Sequence, residues 1–201
     1  MKYLKYFENN TDIDAICYKY DIEDYTINSD GTVDVYGDVN IYNRRLTKLP
    51  LKFGYVSGGF WCYGNLLTTL EGAPMEVGGA FNCTNNQLTT LEGGPRKVGG
   101  SFYCYINKKL TSLKGAPEEV GGDFSCFECG LTSLEGAPKE IGGGFNFDKN
   151  PLPRSIKNNM LFINKIIEYQ SDYNIWRRDG TLDSYRFRDM MKEIMGEELP
   201  S

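Results

Sequence analysis

The 201-residue sequence contains no histidine. That removes the side chain that titrates nearest neutral pH, every Ser/His and Cys/His nucleophile pair, and the commonest transition-metal ligand. A basic surplus is missing as well: 22 Lys and Arg stand against 27 Asp and Glu, a formal net charge of −5. No general footprint for nucleic acid or an anionic membrane follows from such a balance. No run approaches the roughly 18 consecutive apolar residues of a membrane helix, and the start, from Met1 to Asn10, lacks the apolar core of a leader peptide. The expected location is therefore cytoplasmic, where the six cysteines should be thiols rather than three disulfides. The length admits one compact domain or one repeat array and excludes a large multidomain protein.

What is present is an internal repeat. A branched residue recurs as Val56, Val77, Val98, Val120 and Ile141, at spacings of 21, 21, 22 and 21. Phe60, Phe81, Phe102, Phe124 and Phe145 keep step with it, as do Cys62, Cys83, Cys104, Cys126 and then Phe147. Leu49, Leu70, Leu91, Leu113 and Leu134 follow, with prolines at Pro74, Pro95, Pro117 and Pro138. The one longer spacing comes from an extra residue between Tyr105 and Leu110, and a degenerate copy with Val35, Val39, Ile41, Leu46 and Leu49 precedes the rest. Six copies thus run from about residue 35 to 154.

Each copy is one coil that cannot bury its apolar face alone, so coils must stack. The alternation Phe-x-Cys predicts a strand with Phe and Cys inward. Asn65, Asn86, Asn107 and Asn150 lie three residues after the Cys position, where a buried carboxamide can satisfy backbone groups of the turn. Cys129 takes that place in one copy. The pair Cys126 and Cys129 has the two-residue gap of zinc and redox sites, but repeat phase places the cysteines in an inward ladder of small apolar side chains. A structural thiol ladder is the expectation, a metal site or regulatory disulfide the alternative. The Gly-Gly pairs recur once per coil without a GxxxxGK[ST] motif or a following helix, so they read as turn geometry rather than a phosphate loop.

This spacing resembles the leucine-rich repeats, and among them the short bacterial type of about twenty residues per repeat. The wording from Leu131 to Gly143 is similar to uncharacterised leucine-rich-repeat proteins of tailed phages. The resemblance implies an α/β repeat fold: a leucine-rich-repeat solenoid of about six 21-residue coils with a parallel β-sheet on its concave face and helical caps at both ends. It also implies a phage origin and the host cytoplasm as the place of action.

The ends fit that scheme. Residues 1–34 are expected to form an N-terminal cap: a short amphipathic helix after Asp12, with Ile13, Ile16, Cys17 and Tyr20 on one side, then a hairpin turn at Asn28 to Thr32. The array occupies 35–154, and 155–201 form a helical C-terminal cap. Its first helix carries Ile156, Met160, Ile163 and Ile167, and its second, Ser184 to about Met195, carries Phe187, Met190, Met191 and Ile194. A homodimer through Met190, Met191 and Ile194 is an alternative to a monomer.

Register alone assigns the outward strand positions. Tyr42, Trp61, Tyr63, Tyr103, Tyr105 and Phe127 fall on one sheet face, with Asp123 and Asp148 at its edge. Exposed aromatics gathered on one face mark a contact surface, and carboxylates at the rim favour a partner bearing Lys or Arg. These eight residues are the expected partner-binding site of a non-catalytic protein-protein interaction module, in a phage setting an effector that inhibits a host or defence protein. No catalytic residue, metal or cofactor, and no nucleic-acid or membrane partner, is expected. Two alternatives stand beside this reading: a nucleotide or sugar binder or enzyme using the aromatics and paired carboxylates, and a structural protein that self-assembles through its C-terminal helices.

Overall fold

The computed structural model describes residues 12–196. Residues 1–11, which include the start on which the absence of a leader was judged and part of the expected N-terminal cap, lie outside the described residues, as do 197–201.

The repeat builds a parallel β-solenoid of about five turns. Each coil contributes two short strands and therefore two ladders. Strands β3 (Val39–Asn40), β5 (Phe60–Trp61), β7 (Phe81–Asn82), β9 (Phe102–Tyr103), β11 (Phe124–Ser125) and β13 (Phe145–Asn146) form a six-stranded parallel sheet. Its register sets each Phe against the Phe of the next coil, as the alternation predicts. The second ladder comes from the residues that open the unit: β2 (Val33–Val35), β4 (Phe53–Val56), β6 (Glu76–Val77), β8 (Lys97–Val98), β10 (Glu119–Val120) and β12 (Glu140–Ile141), with β1 (Tyr25–Ile27) added antiparallel at the edge. No helix occurs between β2 and β13, so the expected α/β repeat is corrected to a β-solenoid whose helices lie outside the coils.

Five apolar columns fill the interior, represented in one coil by Val98, Phe102, Cys104, Leu110 and Leu113, all fully buried. Phe60, Phe81, Phe102 and Phe124 stack with ring centroids 5.2 to 5.3 Å apart and planes within 6°, which is the strand spacing imposed on side chains. The predicted asparagine ladder is present. Asn107 donates to the carbonyls of Cys83 (3.2 Å) and Cys104 (2.8 Å) and accepts from the Leu88 N–H (3.1 Å), joining two coils with one side chain. Asn65, Asn86 and Asn150 repeat the arrangement.

The extra residue and Cys129 compensate for each other. In the other coils the first Leu N–H is taken by the next coil's Asn Oδ1. In the coil with the insertion, the Leu110 N–H instead reaches its own Asn107 carbonyl at 2.9 Å. The next coil then needs no amide acceptor, and the Cys129 thiol, donating to the Cys104 carbonyl at 3.3 Å, suffices.

Glycine serves two different purposes. Gly72, Gly93, Gly115 and Gly136 occupy the left-handed region, with φ between 82° and 92°, at the third position of four-residue turns closed by bonds such as Ala116 N–H to Leu113 O. The first residue of the Gly-Gly pair that follows the branched residue of each coil has no positive φ. There, a Cβ on Gly78, Gly99, Gly121 or Gly142 would stand 2.1 to 2.3 Å from a carbonyl oxygen of the preceding coil. Close approach of backbones, rather than turning freedom, requires these glycines.

A helix over 12–19 (α1) precedes β1, and Cys17, Tyr20 and Ile22 join the buried core. The β1–β2 hairpin closes as expected, with the Asn28 N–H on the Thr32 carbonyl and Gly31 at φ 81°. After β13 come α2 (Arg154–Lys157), a 3-10 turn (Met160–Phe162), α3 (Ile163–Tyr169) and α4 (Ser184–Met195). The single helix expected from Ser155 is broken at Asn158 and Asn159, where the Asn159 side chain bonds the Ser155 carbonyl at 2.7 Å and competes with helix propagation. Met160 is consequently exposed, and the buried pair of α3 is Ile166 and Ile167. For α4 the expected start and stripe hold: Asp183 accepts from the Tyr185 and Arg186 N–H groups, and Gly196 ends the helix at φ 64°. Met190 and Met191 are buried in the chain's own core and Ile194 packs against it.

Candidate functional site

The outer face of the six-stranded sheet carries the aromatic residues that register predicts. Inward Phe and Cys alternate with outward positions, and the ladder continues past each strand through bonds such as Cys62 N–H to Asn82 O and Gly64 N–H to Thr84 O. The chain then turns at a left-handed residue in every coil: Asn43, Gly64, Asn85, Ile106, Glu128 and Lys149, with φ from 53° to 67°. This turn follows immediately on the outer column Tyr42, Tyr63, Thr84, Tyr105, Phe127, Asp148 and so fixes how those side chains stand. Ile106 is the β-branched member of the set, in a region that costs such a residue about 1 to 2 kcal/mol.

Tyr42 is 41% exposed, and Trp61, Tyr63, Tyr103, Tyr105 and Phe127 are half-buried. Tyr42 and Tyr63 stack with centroids 4.7 Å apart and planes within 2°. Tyr103 and Tyr105, two apart along one coil, meet edge to face at 6.3 Å. Trp61 lies flat over the backbone of Gly59: a Cβ there would stand 2.7 Å from the indole Nε1. Lys149 sets its ammonium 4.8 Å from the Phe127 ring centroid, a cation–π contact. Tyr20 and Asp21, just after α1, border Tyr42 at one end of the face. At the other end α3 turns away, since Ile167 and Gln170 instead line a groove of about 900 Å³ with Gly93, Arg96 and Pro117 at the turn edge.

The two carboxylates differ. Asp123 accepts the Gly144 N–H at 2.7 Å, and Asp38 accepts the Gly59 N–H at 2.6 Å in the same way. Asp123 is thus an inter-coil brace as well as a rim charge, which the sequence did not signal. Asp148 is exposed on the last coil, with its own N–H donated to the Asn146 Oδ1.

The cysteines sit as the repeat phase requires. Cys62, Cys83, Cys104 and Cys126 form one inward column, and all six cysteines are buried free thiols. No cluster of three or more metal-ligating side chains exists among the described residues. Burial pushes the thiols of Cys62, Cys83, Cys104 and Cys126 well above the ordinary range, and that of Cys17 to about 11. Cys129 is the exception, its thiol held below the ordinary value by its hydrogen bond with Cys104. Two outcomes follow. A disulfide reagent at pH 8 should label less than one thiol per folded chain and all six after unfolding. For the five raised thiols the contribution is fully present below the unfolded pKa near 8.5 and is lost as the pH rises towards the folded values; the urea midpoint should hold from pH 7 to 8 and fall between pH 9 and 11.

Thr84 is the residue of this face that the aromatic pattern passes over. It occupies the middle of the outer column, is only 6% exposed, and its Oγ1 has no hydrogen-bond partner. Its sequence signal is a gap: one short residue among Tyr42, Tyr63, Tyr105 and Phe127. Compared with protein-family models, with curated proteins and with solved structures, the chain matches none.

Proposed function

We propose that the chain is a non-catalytic binding module that takes a partner protein on the outer aromatic face of its six-stranded sheet. The observation that carries this reading is the grouping of Tyr42, Trp61, Tyr63, Tyr103, Tyr105 and Phe127 on one side of a scaffold whose core is complete without them. Aromatic anchors of this kind supply most of the energy in protein contacts. Asp148 at the rim adds a site for a basic group of the partner. The same reading takes the repeat as leucine-rich-like, the flanking helices as covers for the solenoid ends, and the place of action as the cytoplasm, with a phage effector acting on a host protein as the setting that the repeat wording favours. The hydrogen bond from Gly144 to Asp123 supports binding over acid–base chemistry, because it commits one oxygen of that carboxylate to the scaffold.

The test is the triple variant Trp61→Ala, Tyr103→Ala, Tyr105→Ala, compared with the wild type in affinity capture from the producing cells. Capture of the wild type's specific partner should be lost while the thermal midpoint shifts by only a few degrees. Collapse of the melt would place these rings in the core, and retained capture would move the site elsewhere.

A further inference from the structure

The outer face has one short rung between two aromatic ones; as it stands Thr84 there is only 6% exposed, and parting the flanking rings would open a slot one coil wide. Its floor is Asn82 and Thr84; one wall is Trp61 and Tyr63, the other Tyr103 and Tyr105. The backbones that carry the two walls are two strand spacings apart, about 10 Å. Tyr63 already stacks on Tyr42 with one ring face, at 4.7 Å, and its other face looks across the slot. A ring placed on the Thr84 rung would meet Tyr63 at that same spacing and Tyr105 at a similar one, inside the 4.5 to 7 Å range of aromatic pairs.

The floor says what kind of ring. The Thr84 Oγ1 is buried and unpartnered, a state that costs a folded protein stability. The Asn82 Oδ1 is engaged by the Thr84 N–H at 3.0 Å, which leaves its amide N–H groups to donate. Once uncovered, the floor offers a hydroxyl that both donates and accepts, and an amide donor beside it. A phenol or indole brings one polar atom on its edge, which this pair can satisfy. A pyranose brings four or five hydroxyls and a nucleobase three or more polar edge atoms, most of which would be buried unmatched between aromatic walls.

We infer that the slot over Thr84 receives a single tyrosine or tryptophan side chain of the partner protein, polar edge inward, completing the ring ladder between Tyr63 and Tyr105. The inference rests on the binding face proposed above and names the group that anchors it. Entry requires Tyr63 and Tyr105 to lean apart; both are half-buried, and no hydrogen bond ties either hydroxyl among the described residues.

Titration of the ¹⁵N-labelled chain with N-acetyl-tyrosinamide, N-acetyl-phenylalaninamide, methyl glucoside and adenosine tests this without the partner in hand. The tyrosine amide should shift the backbone signals of Tyr63, Thr84 and Tyr105 saturably and bind about three- to tenfold tighter than the phenylalanine amide. Thr84→Val should raise the melting temperature and erase the difference between the two probes. Thr84→Tyr should fill the slot and abolish the shifts. Saturable binding of glucoside or adenosine in place of the tyrosine amide would overturn the assignment. Shifts at Trp61 or Tyr103 that survive Thr84→Tyr would overturn the slot and leave the face standing; no shift at any outer aromatic with any probe would count against both.

Discussion

Asn107→Ala should lower the unfolding free energy by about 4 kcal/mol, a quarter or more of the roughly 5 to 15 kcal/mol that folded domains normally have. The side chain is fully buried and makes three hydrogen bonds that join two coils. The carbonyls it serves have second donors, Asn86 on Cys83 and the Cys129 thiol on Cys104, but the Leu88 N–H has none once Asn107 is gone. An orphaned buried donor costs about 1 to 3 kcal/mol, the lost bonds about 1 kcal/mol each, and the cavity adds to both. Urea denaturation reads the effect. Asn107→Asp should be at least as damaging, because it removes both donated bonds and buries a carboxylate. A loss below about 1 kcal/mol in the alanine variant would mean that the ladder is not what joins the coils.

The second large effect is steric. In Gly99→Ala the new Cβ would lie 2.3 Å from the Gly78 carbonyl oxygen, an atom of the neighbouring coil's backbone. No rotamer relieves this. The coils are held by the Gly99 N–H to Val77 O bond at 2.8 Å and the Gly100 N–H to Gly79 O bond at 2.9 Å, so separation breaks the ladder on both sides. The expected cost is about 3 to 5 kcal/mol, at the high end for a point substitution. Gly37 is the internal control: a Cβ there meets nothing within 4 Å and its φ is ordinary, so Gly37→Ala should fall within about 0.5 kcal/mol of the wild type. Equal effects at the two positions would remove close coil approach as the reason for the Gly-Gly pairs.

These two columns also show what repetition makes legible. Asn107 could be assigned from sequence because its place after the Cys position recurs in coil after coil, and a buried amide at a turn has a narrow range of uses. The outer columns followed from period-2 alternation around Phe and Cys, which is why all six aromatics fall on one face. The second ladder did not show itself: Glu76-Val77-Gly78-Gly79 has one inward residue and no alternation, and its strand exists because the neighbouring coil pairs with it. Propensity likewise assigns the Gly-Gly pairs to turning, whereas their need is set by the distance to the next backbone. Asp123 bracing Gly144 and the burial of Thr84 depend on contacts between coils 21 residues apart, and composition carries neither. The break at Asn158 and Asn159 was readable in principle, since asparagine competes for its own backbone, but the apolar spacing across it masked the signal.

The outer face is proposed as the working surface, and a hydrogen-exchange footprint addresses that most directly. With the captured partner bound, slowed exchange is expected in residues 59–63, 80–84 and 101–105, extending to 123–127 and centred on Thr84. Protection confined to the turn edge around Gly93, Gly115 and Gly136, or to the helices after β13, with the outer strands unchanged, would contradict the account.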